Sequence, residues 1–345
     1  MNIFRVPLSW IYGLVVWLRN LLYDDHIFQS TQVSVPTIGV GNLAVGGTGK
    51  TPMTEYLVRL LSKQYKVAVL SRGYGRRTRG FRIANQNDTA YTIGDEPMQI
   101  HIRFPEIPVA VCADRVKGIK RLQHLYPDLH CVILDDAYQH RKLKCGFYIL
   151  LTPYERLYVN DHMLPWGRLR DLPSQSVRAN MVVVTKCPQN MKPIERRIVS
   201  NTLNLASYQH LFYSSIGYAP IQLNSTPLLV TGIANPKPLL EYLRQSFPDT
   251  ELLAFSDHHV FRSKDLKKIC EKAEQFDCVV TTEKDYMRLL QTPIVEQLGD
   301  KLQVMTIQTE FGVDEDAFIR AVLLYVSENN RKQKTPINNN ATDIL

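Results

Sequence analysis

From residue 36 onward, short β-branched apolar runs alternate with stretches of helical period. The runs at 37–40, 67–70, 109–111, 131–134, 147–151 and 181–185 predict strands, and helical patterns at 52–63 and 115–126 lie between several of them. This rhythm implies a mostly parallel sheet covered by helices, with ligands at the carboxyl ends of its strands. A second series at 227–231, 252–255, 277–281 and 303–307 alternates with helical patterns at 236–246 and 263–275. It predicts a second, smaller α/β domain. The runs at 211–218 and 304–311 are placed as a paired linker between the two. Residues 329–345 are polar and Asn-rich, a composition that predicts a disordered tail.

The N-terminus breaks the rhythm. Residues 6–18 are almost entirely apolar and include Trp10, Tyr12 and Trp17, before Arg19 and Asn20 interrupt and Leu21-Leu22-Tyr23 follows. The run is shorter than the roughly 20 residues that span a bilayer. No small-residue cleavage site follows it, against a secretory signal. An interfacial helix fits, with Trp and Tyr at headgroup level and Arg19 reaching water. The other reading is a helix packed on the protein's own core. The expected organisation is therefore a membrane-associated helix at 1–24, a larger domain at 25–218, a smaller one at 219–328, and the tail.

Composition changes this picture little. Hydrophobic residues make up 45% of the 345, enough for two cores, and charged residues 21%, against wholesale disorder. The net charge of +8 calls for an acidic partner: nucleic acid, an anionic membrane face or a phosphorylated small molecule. No nucleic-acid-binding motif is present, so nucleic acid is not expected. The six cysteines form no C-x-x-C pair and no zinc spacing, and read as buried reduced thiols.

Chemistry enters at residues 39–51, Gly-Val-Gly-Asn-Leu-Ala-Val-Gly-Gly-Thr-Gly-Lys-Thr, between a predicted strand and a predicted helix. Residues 44–51 (Ala44, Val45, Gly46, Gly47, Thr48, Gly49, Lys50 and Thr51) form a P-loop-like phosphate cradle. Backbone N–H groups and a helix N-terminus meet the phosphates, Lys50 reaches the β/γ oxygens and Thr51 holds Mg²⁺. Ala44 stands where the strict pattern has Gly. After the strand at 131–134 come Asp135 and Asp136, placed as Walker-B carboxylates would be for Mg²⁺. Four weaker candidates surround these. Ser71-Arg72-Gly73-Tyr74-Gly75-Arg76-Arg77 suits phosphate contacts or is a solvated basic loop. In Gly94-Asp95-Glu96-Pro97, Asp95 accepts a hydroxyl proton or caps a helix. Asp257-His258-His259 supplies a base, an orienting partner, or structural histidines. The run 164–171 mixes apolar, aromatic and basic residues, as a lipid-phosphate site or an ordered loop would. The fold class is thus α/β: a P-loop NTPase-like, mostly parallel sheet with a second α/β domain and an N-terminal membrane-associated helix.

Taken together, these segments resemble the tetraacyldisaccharide 4′-kinase family of lipid A assembly. The match runs through Gly-Gly-Thr-Gly-Lys-Thr-Pro, Ser-Arg-Gly-Tyr-Gly-Arg (71–76), Gly-Asp-Glu-Pro (94–97), Ala-Asp-Arg (113–115) and Asp-Asp-Ala-Tyr-Gln-His (135–140). It continues through Leu-Pro-Trp-Gly-Arg-Leu-Arg-Asp (164–171), Thr-Gly-Ile-Ala-Asn-Pro (231–236), Asp-His-His (257–259) and Thr-Glu-Lys-Asp (282–285), from about residue 7 to 318. The family usually has Gly where Ala137 stands, and often Glu where Asp171 stands. The resemblance implies ATP- and Mg²⁺-dependent phosphorylation of the 4′-hydroxyl of an acylated disaccharide 1-phosphate, forming lipid IVA. It places the enzyme at the cytoplasmic face of the inner membrane, with no protein partner. In its terms Asp95 is the base with His258, Lys50 acts in catalysis, and the loop and Arg115 hold ATP. Thr51, Asp135 and Asp136 serve the metal, while Arg72, Tyr74, Gln139, Arg170 and Asp171 are candidate substrate contacts. The rival reading is a membrane-associated P-loop GTPase or ATPase switch. Guanine-reading proteins typically carry [NT]-K-x-D, and here Thr185-Lys186-Cys187-Pro188 lacks the Asp.

Overall fold

The computed structural model describes residues 5–334 except Gln222, Ala234, His258 and Gln291. In chain order, α1 (Arg5–Asp24), β1 (Thr31–Gln32), β2 (Thr37–Asn42), α2 (Lys50–Leu61), β3 (Val67–Ser71), β4 (Arg82–Ile83), α3 (Ala90–Ile93), α4 (Asp95–Arg103) and β5 (Val109–Val111) come first. They are followed by α5 (Arg115–Leu125), β6 (Cys131–Asp135), β7 (Leu143–Lys144), β8 (Phe147–Pro153), β9 (Met181–Thr185), α6 (Pro193–Leu203) and β10 (His210–Tyr213). Then come β11 (Ser215–Tyr218), β12 (Pro227–Thr231), α7 (Lys237–Ser246), β13 (Glu251–Ala254), α8 (Ser263–Ala273), β14 (Cys278–Thr282), α9 (Glu283–Leu289) and α10 (Ile294–Leu298). The last elements are β15 (Leu302–Met305), β16 (Ile307–Glu310) and α11 (Glu315–Lys334).

The first sheet has eight strands in the order β10-β9-β8-β2-β6-β3-β5-β4, parallel except for β4 at the edge. Every residue of β2, β3, β6 and β9 is buried, which is why these runs are apolar on both faces rather than alternating. One face packs Leu70, Ile119, Leu134 and Tyr148; the other packs Ile38, Met53, Leu57 and Ile133. The second sheet, β13-β12-β14-β15, is wholly parallel and likewise covered on both faces. β11 and β16 pair antiparallel, Ser215 opposite Glu310, so only the second halves of the two expected linker runs meet; their first halves belong to β10 of the first sheet and β15 of the second.

The C-terminal end of the chain corrects the expected boundaries. Residues 315–328 pack on the first sheet, not with the smaller domain: Phe318, Val322 and Val326 are fully buried beside Ile38, Val40 and Met53. Phe318 stacks on Phe311 at 4.1 Å, and the Tyr325 hydroxyl donates to the Thr37 carbonyl at 3.1 Å. The polar stretch 329–334 continues α11 instead of opening a tail, because its first turns are anchored by this apolar stripe. Residues 335–345 lie outside the described residues.

α1 is inside out. It buries Ser9 (4% exposed) and Asn20 (2%) beside a single apolar residue, Val16, and leaves Trp10 72% exposed, with Ile11, Leu14, Val15 and Trp17 also open. Its polar face is bonded to the first domain: Ser9 Oγ donates to the Met163 carbonyl at 2.8 Å and Asn20 Nδ2 to Asp171 Oδ1 at 2.8 Å. No described helix is long and apolar enough to cross a membrane.

Candidate active site

The loop between β2 and α2 is fixed at its roots and open at its crest. Asn42 Nδ2 donates to Thr48 Oγ1 at 2.6 Å, and Thr185 Oγ1, at the end of β9, donates to the Thr48 carbonyl at 2.9 Å. Val45 N donates to the Arg168 carbonyl at 2.8 Å, while Val45, Gly46 and Gly47 are exposed. Gly49 caps α2 with φ 90°, in the left-handed region that favours glycine. Lys50 and Thr51 then open the helix, where unpaired N–H groups carry partial positive charge.

Pairing of Val40 with Asp135 sets the acids beside this loop. Asp135 is fully buried and accepts from Ser71 Oγ at 3.2 Å and Thr54 Oγ1 at 3.5 Å. Asp136 has φ 48°, a conformation that Asp tolerates better than most residues, and it turns its carboxylate back to the loop. It lies 3.9 Å from Lys50 Nζ and is clamped by both terminal nitrogens of Arg170. Beneath, the buried Arg115 guanidinium donates to the carbonyls of Cys112 (2.8 Å), Asp135 (3.2 Å) and Asp136 (3.3 Å). Burial holds its pKa down to about 10.

Gly94, φ 99°, caps α4, and a Cβ there would stand 2.9 Å from the Tyr74 carbonyl. Asp95 and Glu96 occupy the first turn, where the helix dipole favours acids. Asp95 is no helix cap: its Oδ2 accepts from Arg288 of α9, Nε at 3.0 Å and Nη2 at 2.7 Å. Glu96 faces the charges of Lys50, Asp136 and Lys284.

Three acids thus crowd one lysine. Burial first, then repulsion from Glu96 and Asp136, pushes Asp135 above the ordinary carboxylate range, with Lys50 and Arg115 opposing. Burial raises Glu96 too, with Lys50 opposing and Asp136 adding to the rise. Burial also acts on Asp136, but the Arg170 hydrogen bond and the charges of Lys50, Arg170 and Arg115 outweigh it and hold the group low. Among the described residues no three His, Cys, Asp or Glu side chains are arranged to hold a metal ion by themselves. Mg²⁺ needs no such cage, since one or two carboxylates and substrate phosphates suffice. An under-neutralised acid cluster beside a helix N-terminus fits that ion.

A family model described as tetraacyldisaccharide-1-P 4′-kinase matches residues 1–327. The chain belongs to this family. Tetraacyldisaccharide 4′-kinases from Flavobacterium johnsoniae and Bacteroides thetaiotaomicron are 44% and 43% identical to it, covering 95% and 97% of the chain and 99% and 96% of their own lengths. A solved structure of LpxK from Aquifex aeolicus in complex with ATP shares the fold, with a TM-score of 0.73 and 24% identity over 93% of this chain and 98% of that one. The kinase reading stands, and nothing favours the GTPase or ATPase switch.

In this member of the tetraacyldisaccharide 4′-kinase family, the predicted site residues fall into three groups. Lys50, Thr51, Asp135 and Asp136 meet at the loop. Arg72 and Tyr74 lie on an exposed loop, Tyr74 at 78% exposure, next to Gly94. Arg115, Gln139, Arg170 and Asp171 are bonded into the scaffold. Arg115 has no open face. Gln139 donates to the Asn42 carbonyl at 2.7 Å, and Arg170 is spent on Asp136 and Asn42. Asp171 is fully buried between Asn20 and Arg178, so it is not an open substrate contact. His258 lies outside the described residues. Sequence reasoning missed Glu96 as the acid facing Lys50, and it missed Arg288 altogether. The only signal was the Thr-Glu-Lys-Asp segment just before Arg288, whose role depends on a contact between domains.

Proposed function

We propose that this protein transfers the γ-phosphate of ATP to the 4′-hydroxyl of a tetraacyldisaccharide 1-phosphate, on the cytoplasmic face of an inner membrane. The observation that carries the reading is the convergence of Lys50, Asp136 and Glu96 at a glycine-rich helix entry, with Asp95 one residue away on the domain boundary. Amides at residues 46–51 and the α2 N-terminus meet the triphosphate, and Lys50 spreads charge from its outer oxygens. Asp95 takes the 4′-hydroxyl proton as the new O–P bond forms and the bond to the β–γ bridging oxygen breaks, releasing ADP. Thr51, Asp135 and Asp136 would hold Mg²⁺, which neutralises phosphate charge when bound. Arg170 keeps Asp136 ionised for that task, and Arg115 fixes both aspartate backbones from below.

The exposed apolar face of α1 supports membrane association. A helix that buries serine and asparagine while exposing tryptophan and leucine is stable where the outer medium is lipid. Its polar face ties that surface to the 163–171 segment next to the loop, which keeps the phosphate site near the headgroup plane.

The test is the purified protein with ATP, Mg²⁺ and an acylated disaccharide monophosphate in phospholipid–detergent micelles. A bisphosphate product is expected, made from ATP in preference to GTP. Absence of that product, or full turnover by Asp95→Ala, overturns the respective part of the reading.

A further inference from the structure

Two motifs in the second domain, Thr-Gly at 231–232 and Thr-Glu-Lys-Asp at 282–285, lie outside the β2–α2 loop. Both converge on one buried carboxylate. Asp285 Oδ2 accepts from Thr231 Oγ1 (2.7 Å), Thr282 Oγ1 (2.7 Å) and Gly232 N (2.9 Å), and the residue is fully buried. Its other oxygen, Oδ1, accepts from Arg288 Nη1 at 3.2 Å. The opposite edge of the same guanidinium, Nε and Nη2, grips Asp95 Oδ2 of the first domain at 3.0 and 2.7 Å. The Arg288 side chain is 9% exposed and that of Asp95 26%. Gly232 permits this approach, since a Cβ there would meet Asp285 Oδ1 at 3.3 Å and the Ser256 carbonyl at 3.0 Å.

The structure assigns Arg288 as a positioning residue for Asp95, held in its own orientation by Asp285 and the two threonines. The assignment rests on the reading that Asp95 takes the substrate proton. A carboxylate on the first turn of a helix has free rotation about two side-chain bonds. A planar guanidinium donating two hydrogen bonds to one of its oxygens fixes that rotation, and a lysine ammonium does so less well. The fork itself is fixed because the Asp285 carboxylate is held by three donors of its own domain. The second domain therefore reaches across to orient the base, and it does so only when the domains are apposed as seen here.

The test uses the full-length protein in micelles with ATP, Mg²⁺ and the acylated disaccharide monophosphate. Arg288→Met is expected to lower kcat by about 10²-fold while KM for ATP stays within about twofold, because the phosphate grip is untouched. Arg288→Lys is expected to restore part of the loss. In an Asp95→Asn background, Arg288→Met is expected to cost little more, since its effect acts through Asp95. Glu283→Gln, which weakens another contact between the domains (Arg103 to Glu283, 3.2 Å), is expected to change kcat by less than about threefold. Near-normal kcat in Arg288→Met, full additivity with Asp95→Asn, or an equal loss in Glu283→Gln would overturn the assignment. If Arg288→Met fails to fold, Arg288→Lys alone decides: kcat equal to the unaltered protein refutes it. Near-normal activity in Asp95→Asn removes the base reading itself, whatever Arg288 does.

Discussion

The two sheets share one plan and use their carboxyl edges in opposite ways. At the edge of the eight-stranded sheet, Lys50, Asp136 and Glu96 are partly exposed, and Asp135 and Glu96 are held above the usual carboxylate range. At the edge of the four-stranded sheet, Asp285 is fully buried and receives three donors on one oxygen and Arg288 on the other. Parallel strands direct ligand chemistry to this edge in both cases. An edge with unmet electrostatic demand binds something from outside; an edge whose demand is met becomes a fixture. The first is the site of exchange, and the second is a rigid mount that reaches across through Arg288.

The sharpest break of this contrast is Lys50→Ala. Turnover is expected to fall by about 10³-fold, with the melting temperature nearly unchanged because the side chain supports no core. A large loss of stability there would erase the distinction between the two edges. Asp285→Ala should do the reverse first: leaving three donors and a buried guanidinium unpaired is expected to cost about 3–5 kcal/mol in denaturant unfolding. A loss under about 1 kcal/mol would mean the mount is not rigid. The first domain also differs in presenting α1 outward. Trp10→Glu is expected to weaken binding to anionic vesicles by about tenfold in co-sedimentation, with ATP affinity unaffected. The smallest effect concerns His140, whose pKa burial and the Arg115 charge lower to about 4. The unfolded chain then binds more protons between pH 4 and 6.5, so stability rises with pH across that window. His140→Asn should flatten this slope, by about 1 kcal/mol after allowance for partial exposure, read from melting temperature against pH.

Some of this was legible before folding. The strand runs and the Gly-Gly-Thr-Gly-Lys-Thr turn are local: apolar content, glycine freedom and a following helix decide them within a dozen residues. The twin aspartates were placed by the same logic, as the polar end of an apolar strand. Asp171 and Gln139 could not be read correctly, because a polar residue beside a loop looks alike whether it faces a ligand or fastens a helix. Asp171 went to Asn20, 151 positions away, and Gln139 to the Asn42 carbonyl, 97 positions away.

The sequence by itself determined two α/β units, a phosphate-binding turn with its acids, and an apolar N-terminal helix, since each depends on residues close along the chain. Only the tertiary structure decided that α11 returns to the first sheet, that α1 turns its polar side inward, and that Arg288 rather than a neighbour in sequence holds Asp95. Those outcomes depend on contacts between distant segments, where burial and charge pairing are settled by what packs alongside and local pattern carries no record of the partner.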